Sequence, residues 1–291
     1  MFLDNNERLI AVDFVCNQIS VEGRKALYDV GVKTILAESI VSWHEIEPVK
    51  GQYNYDRVDR YTDECREIGL KVMYQFYVTS PLWVPGVMRR DGTCAHYPVP
   101  NAYVNPLIED GFQLELEFID RTMERIAADG VTGFYGMPRN GERLLLKHMT
   151  CTEEQAVRIV IQRQNAFARH ATDLWTAFHP NTVHEGCGNE HFDAIYEAME
   201  EKFPTHTLRR ILWTFFGSKT PSPPIDERYW VGAGYARGAT RHARILNELG
   251  GGGLIMAPCN PRRPGASQIT SRILRQTRTA IDILGAGHVA A

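Results

Sequence analysis

The sequence predicts an α/β fold: a single (β/α)8 TIM barrel, with one domain spanning residues 1–291. Eight short apolar runs recur along the chain, and their hydrophobicity is continuous rather than alternating. A parallel strand buried on both faces requires that pattern. Between most of the runs, apolar residues recur at three- and four-residue spacing, the mark of an amphipathic helix. Strand and helix alternating in this way, in a chain near the ~250 residues of a common barrel, point to a parallel sheet closed on itself.

The elements follow in order. Leu9–Val15, Lys33–Glu38 and Lys71–Val78 read as the first three strands, with helices predicted over Val21–Val30 and Asp56–Ile68 between them. Val131–Gly136 is the fourth strand, preceded by a helix over Glu109–Ala128. A long helix is expected over Thr152–Phe178, opened by Thr152 as a hydroxyl cap with Glu153 and Glu154 in the first turn. Thr182–Glu185 then reads as strand five, followed by a helix over Glu190–Phe203 and strand six over Leu208–Phe216. Tyr229–Tyr235, a helix over Arg237–Leu249, Gly253–Pro258 and a helix over Ser267–Leu284 complete the set. Gly31, Gly69, Gly130 and Gly250 sit just past helix ends, where a left-handed residue closes the last turn. One link departs from the pattern. Pro221, Pro223 and Pro224 forbid a normal helix between Phe216 and Tyr229, so that crossover is extended or a single turn.

Composition narrows the function. A net charge of −3 offers no broad basic face for nucleic acid, and Pro261-Arg262-Arg263-Pro264 is too short to supply one. No apolar stretch reaches 18 residues, so no membrane span is expected. Residues 1–8 lack the pattern of a signal peptide, and a cytoplasmic location is the expectation. The six cysteines are scattered with no C-x-x-C pair, which reads as reduced thiols; Cys187, in a Gly-flanked turn, is the candidate for a reactive one. His184, Glu185 and His191 are metal-ligand types without ligand spacing, and His44 and His96 are isolated, so no metal is expected. No nucleotide-binding glycine motif or G-x-S-x-G elbow is present, and no cofactor is expected. Nothing in the sequence speaks to oligomeric state.

In a barrel the functional side chains gather at the C-terminal ends of the strands. The chain is longest after strands three and four, where Thr79–Asn105 and Gly136–Thr150 would wall a site. The most specific stretch follows strand two: Trp43-His44-Glu45-Ile46-Glu47-Pro48-Val49-Lys50-Gly51-Gln52-Tyr53. It resembles the W-x-x-x-E-P-x-x-G-x-Y segment of barrel glycosidases, notably glycoside hydrolase family 42 and its clan A relatives. Strand three runs into Thr79-Ser80-Pro81-Leu82-Trp83, similar to that clan's T-x-P-x-W ending. Together the two motifs cover the first third of the chain. The resemblance implies a carbohydrate substrate or ligand. Glu47-Pro48 with Gly51 and Tyr53 reads as a turn that packs the loop rather than as a catalytic group. Trp43 and Trp83 either plug the mouth or offer a sugar the aromatic face on which its C–H surface packs.

The resemblance places the acid/base carboxyl at the fourth strand. The clan's Asn-Glu pair is interrupted here, since Gly141 separates Asn140 from Glu142. Gly141-Glu142-Arg143-Leu144 is closer to the G-E-L-R segment of β-amylases, which makes Glu142 the candidate general acid. The rival reading pairs Glu142 with Arg139 or Arg143 as an ordinary loop glutamate. Glycoside hydrolysis uses two carboxyls, about 5 Å apart for retention and farther apart for inversion. The clan's nucleophile belongs at the end of strand seven, but Tyr229–Gly238 contains no acid. Ala37-Glu38 also stands where the clan carries an arginine. Glu185, read at the end of strand five, is the candidate partner for Glu142. Asp13 and Glu38 are interior acids, costly unless paired or functional, and are candidates for sugar hydroxyls. Tyr77, Tyr135, Trp213 and Tyr235 complete the expected aromatic lining. The function implied is an O-glycosyl hydrolase; the alternative is a non-catalytic carbohydrate-binding barrel that has lost its strand-seven nucleophile.

Overall fold

A computed structural model describes residues 9–13, 19–77, 79–93, 100–128, 132–133, 152–171, 173–176, 192–210, 212–215, 243–244, 253–257 and 269–286. Six strands form one parallel sheet: β1 (Leu9–Asp13), β2 (Thr34–Ser42), β3 (Lys71–Tyr77), β6 (Thr132–Gly133), β9 (Leu212–Phe215) and β10 (Gly253–Ala257). Their order across the sheet is β6-β3-β2-β1-β10-β9. Val12 sits opposite Ile35 on one side and Met256 on the other, so the earliest and latest strands are neighbours. β7 (Asp173–Thr176) and β8 (Thr207–Arg210) form a separate parallel pair. A single residue separates the end of β8 from the start of β9, and β6 and β7 lie close to each other. Among the described residues no strand ladder joins β6 to β7, and the sheet is not closed.

Most of the longer described helices form where the spacing predicts. α1 (Val21–Asp29) opens on Ser20, whose hydroxyl accepts the Gly23 amide at 3.2 Å. After α2 (Trp43–Ile46), α3 (Asp56–Ile68) buries Val58, Tyr61, Thr62 and Cys65, one stripe at helical spacing. It ends on Gly69 at φ +89°, a conformation that disfavours any side chain. α4 (Glu109–Ala128) packs beside α5 (Glu153–Ala168), which in turn packs beside α6 (Phe192–Lys202); α7 (Ser271–Ala286) is the last. Thr152 and Gln155 form a reciprocal capping box at the start of α5.

Charged side chains tie neighbouring helices together. Arg24 of α1, 2 % exposed, binds Glu64 and the Cys65 thiol of α3 and stacks on Tyr61. Glu115 of α4 and Arg163 of α5 form a fully buried ion pair at 3.0 Å. Asp120 of α4 accepts Arg169 at 2.6 Å and lies 2.8 Å from His170, both just beyond α5.

Three elements differ from the sequence expectation. α5 stops at Ala168 instead of running to Phe178, and Asp173–Thr176 is strand. Phe167, Ala171, Leu174 and Trp175 keep a helical spacing through the break, and no glycine or proline marks it. Pairing with β8 decides the conformation there, overriding a local preference that is weak in either direction. The wall after β3 is not a plain loop. It carries an antiparallel hairpin, β4 (Val87–Thr93) against β5 (Pro100–Val104), with a register shift between Arg89 and Thr93. That shift and the polar Arg89-Arg90-Asp91-Gly92 run break the alternation by which a strand is read. Finally, β2 runs on to Ser42. Between Ala37 and Val41 it spends four steps against the two from Tyr74 to Phe76 on β3, so a bulge lies immediately before its end. The predicted strands at Thr182–Glu185 and Tyr229–Tyr235 and the helix at Arg237–Leu249 fall largely or wholly outside the described residues.

Candidate functional site

The site is built where β2 and β3 end. Ser42, the last residue of β2, shares a buried 2.9 Å hydrogen bond between hydroxyls with Thr79, just past β3. The His44 amide donates to the Thr79 carbonyl at 2.9 Å, and the Ser80 amide to the Ala102 carbonyl of β5 at 2.8 Å. These bonds lock the ends of two parallel strands to each other and to the hairpin. Thr79 and Ser80 are fully buried, and the Ser80 hydroxyl has no hydrogen-bond partner. His44 is half-buried with Nδ1 enclosed and unpartnered; burial lowers its pKa, against a weaker opposing pull from Glu45, so the ring is neutral at pH 7. Trp43-His44 and Thr79-Ser80 belong to the two sequence motifs, but that Ser42, His44, Thr79 and Ser80 come together at two strand ends was not read from the sequence.

The motif around Glu47 folds as a buttress. Glu47 is 3 % exposed, and its carboxylate accepts the Trp43 indole N–H at 2.8 Å through Oε2 and the Gly51 amide at 2.7 Å through Oε1. Burial, and then the neighbouring Glu47, push the Tyr53 hydroxyl up to about 12. Tyr53 and Tyr55 lie parallel, with Arg121 over the first ring and Arg125 over the second. A turn over Lys50-Gly51, with Gly51 at φ +79°, brings the Gly51 amide back onto the carboxylate. Glu47 therefore acts as a packing carboxylate, as its place in the motif suggested.

The two tryptophans part company. Trp43 has no exposed surface: it stacks on Phe118 of α4 at 5.2 Å, meets Trp83 edge-on at 5.9 Å, and has its one polar atom satisfied by Glu47. It offers no face to a sugar in this structure, whereas Trp83 keeps some open surface. Trp83 stays partly exposed, donates its indole N–H to the Glu47 carbonyl at 3.2 Å, and has the Lys50 ammonium 5.9 Å from its ring. Beside it Leu82 is exposed.

The other predicted positions are less completely placed. Asp13 ends β1 opposite Leu36 of β2, Glu38 lies inside the β2 bulge, Tyr77 ends β3 opposite Ser42, and Trp213 on β9 faces Ile255 of β10 in register. Their backbones are described and their side chains are not. Glu142, Glu185, Tyr135, Asn140 and Tyr235 lie outside the described residues, as do Cys187, His184 and His191. β7, next after β6 in the chain, lies wholly upstream of Glu185. Among the described residues no three His, Cys, Asp or Glu side chains gather as metal ligands. No described helix is long and apolar enough to cross a membrane.

No family model and no curated protein matches the chain in sequence. Its fold does match solved structures, which are TIM-barrel glycoside hydrolases. The catalytic domain of β-amylase from Paenibacillus polymyxa aligns with a TM-score of 0.60 at 10 % identity, covering 97 % of this chain and 99 % of that one. The endo-β-1,4-glucanase Xac0029 from Xanthomonas axonopodis pv. citri gives 0.58 at 6 %, covering 96 % and 99 %. A β-galactosidase from the psychrophilic Marinomonas ef1 gives 0.56 at 12 %, covering 96 % of this chain. The chain spans 60 % of that galactosidase's length. At these identities the likeness is one of fold alone, a mixed α/β architecture of the kind these enzymes share.

Proposed function

We propose that the protein is a glycoside hydrolase acting on an oligo- or polysaccharide at the C-terminal ends of its parallel strands. The architecture proposed is one closed (β/α)8-type barrel over residues 1–291, in which β10 pairs directly with β9 on one side and with β1 on the other. One observation carries the reading. At the ends of β2 and β3, the glycosidase-like motifs fold into a rigid buttress of Glu47, Trp43 and the Gly51 turn that leaves Trp83 partly exposed. The pairing of β1 with β10, together with the likeness to barrel glycoside hydrolases, supports closure.

In this reading Glu142 protonates the departing glycosidic oxygen, and Glu185 or another mouth carboxylate acts opposite it as nucleophile or base. Trp83 carries a sugar ring by C–H packing. Asp13, Glu38, Tyr77, Tyr135, Asn140, Trp213 and Tyr235 surround it. The test is release of reducing ends from a broad set of glycans by wild type and by Glu142→Gln. The substitution should lower turnover by roughly 100-fold or more, the scale of general acid catalysis. Activity unchanged by Glu142→Gln removes Glu142 as the acid.

A second reading, a carbohydrate-binding barrel without catalysis, is favoured by the 229–238 run, which has no acid, and by Ala37-Glu38, which stands in the sequence where the clan carries the arginine that supports its nucleophile; Ala37 is fully buried. Saccharide binding by wild type with no release of reducing ends selects that reading.

A further inference from the structure

We propose that Glu47 is a positioning residue that sets the orientation of the Trp83 indole at the strand-end mouth. The importance of Trp83 to a ligand rests on the saccharide reading above; its dependence on Glu47 does not.

The backbone beneath Trp83 is held without help from Glu47. The Val84 amide bonds to the Pro81 carbonyl at 3.2 Å, closing a turn around the tryptophan. Gly111, in the first turn of α4, approaches so closely that a Cβ there would lie 2.1 Å from the Pro85 carbonyl oxygen. A Cβ on Gly86 would meet Ile108 at 2.6 Å. The loop is thus pressed onto the start of α4, which fixes where Trp83 is rooted and not which way its ring turns.

The ring has two further anchors, and both lead to Glu47. Its N–H donates to the Glu47 carbonyl oxygen at 3.2 Å. The Trp43 ring meets it edge-on, and Trp43 is held by the Glu47 carboxylate on one side and by Phe118 on the other. The same carboxylate draws in the Gly51 amide, and the Lys50 ammonium of that turn stands near the Trp83 ring. A carboxylate that only closed its own turn would need the Gly51 bond alone. The bond to Trp43 couples that turn to the aromatic pair. A sugar packs on an aromatic face only if the face is presented squarely, so a ring free to rotate loses ordered contact area.

The test reads the indole N–H groups of Trp43, Trp83, Trp175, Trp213 and Trp230 by NMR in protein labelled with 15N-tryptophan. Trp83→Phe assigns the Trp83 signal. In Glu47→Ala, and less strongly in Glu47→Gln, the backbone carbonyl that accepts the Trp83 N–H remains but loses the carboxylate bonds that hold it and Trp43 in place. The Trp83 signal should therefore shift and its proton should exchange with solvent about fivefold faster or more, within the scale of one weakened hydrogen bond. The signals of Trp175, Trp213 and Trp230 should stay in place, showing that the fold is kept. If Glu47→Ala does not fold, Glu47→Gln and Trp43→Phe, which removes the other half of the same bond, give the same readout. A Trp83 signal that stays fixed while that of Trp43 moves overturns the proposal. Titration of maltotetraose, cellotetraose and mannotetraose into wild type and Glu47→Gln adds a separate readout. A saccharide that shifts Trp83 in wild type should bind Glu47→Gln about tenfold more weakly, and equal binding overturns the proposal. If wild type ignores all three, the saccharide reading is the one that suffers, and the indole spectra of the unliganded variants still decide the role of Glu47.

Discussion

At the residue scale, several charged groups are buried or half-buried between helices. Glu115 and Arg163 are 1 % and 3 % exposed, and the second Glu115 oxygen has no hydrogen-bond partner. Such a pair adds little net stability, yet removing one member strands the other charge away from water. Arg163→Met should therefore cost about 3–5 kcal/mol in urea unfolding, and a loss below about 1 kcal/mol would show the charge to be hydrated. Asp120 behaves differently because it is partly exposed. Burial works against its charge, but hydrogen bonds from Arg169 and His170 outweigh that and hold its pKa below the usual 3.8. A depressed carboxyl contributes stability above its unfolded value and loses it as pH falls through the folded one. Asp120→Asn should leave thermal stability less sensitive to pH below about 4, where wild type loses this contribution. An acid limb of the same slope in both proteins would rule that out.

At the element scale, the contact that matters most to the site is between α4 and the loop that follows β3. A methyl on Gly111 would meet backbone rather than the end of a flexible side chain, so the loop must move. Gly111→Ala is expected to cost about 1–3 kcal/mol despite the better helix propensity of alanine, and to disturb the Trp83 indole signal. A variant as stable as wild type, with Trp83 unmoved, would mean that the close approach is not maintained in solution. The capping box of α5 offers a cleaner measure, because Thr152 is exposed. Thr152→Ala should cost about 1 kcal/mol, read by thermal or urea unfolding. Neither change touches a residue proposed to meet substrate, so an effect of Gly111→Ala on saccharide binding isolates the loop's placement.

At the scale of the whole molecule, the pairing of β1 with both β2 and β10 makes the two ends of the chain interdependent. A chain shortened before β10 would leave β1 and β9 without their shared neighbour. We expect such a truncation to lose the cooperative unfolding transition altogether, and not merely to lower its midpoint. Circular dichroism during urea titration checks this, and a retained sharp transition would show that the sheet stands without its return strand. The same arrangement explains how the site is assembled. Residues from the ends of β2 and β3, and from a hairpin near sequence position 100, meet because parallel strands deliver every C-terminal end to one side.

Much of this was legible in the sequence where the signal was local. Continuous apolar runs located β1, β2, β3 and β10, and the helical spacing of α3 and α4 agreed with their observed bounds, because burial on a regular element leaves its period in the residues. Thr152 announced its cap, and Glu47-Pro48 with Gly51 announced a packed turn, since both are short-range chemistry. The tertiary structure alone decided matters that depend on a distant partner. Asp173–Thr176 is strand because β8 lies beside it, the bulge in β2 exists only relative to the register of β3, and the hairpin after β3 has a pattern obscured by its own irregularity. It also separated two tryptophans that the sequence treated alike. Trp43 is enclosed because Phe118 and Glu47, one 75 residues away in the chain and one four, close over it together, and Trp83 keeps an open surface because its loop is held against α4.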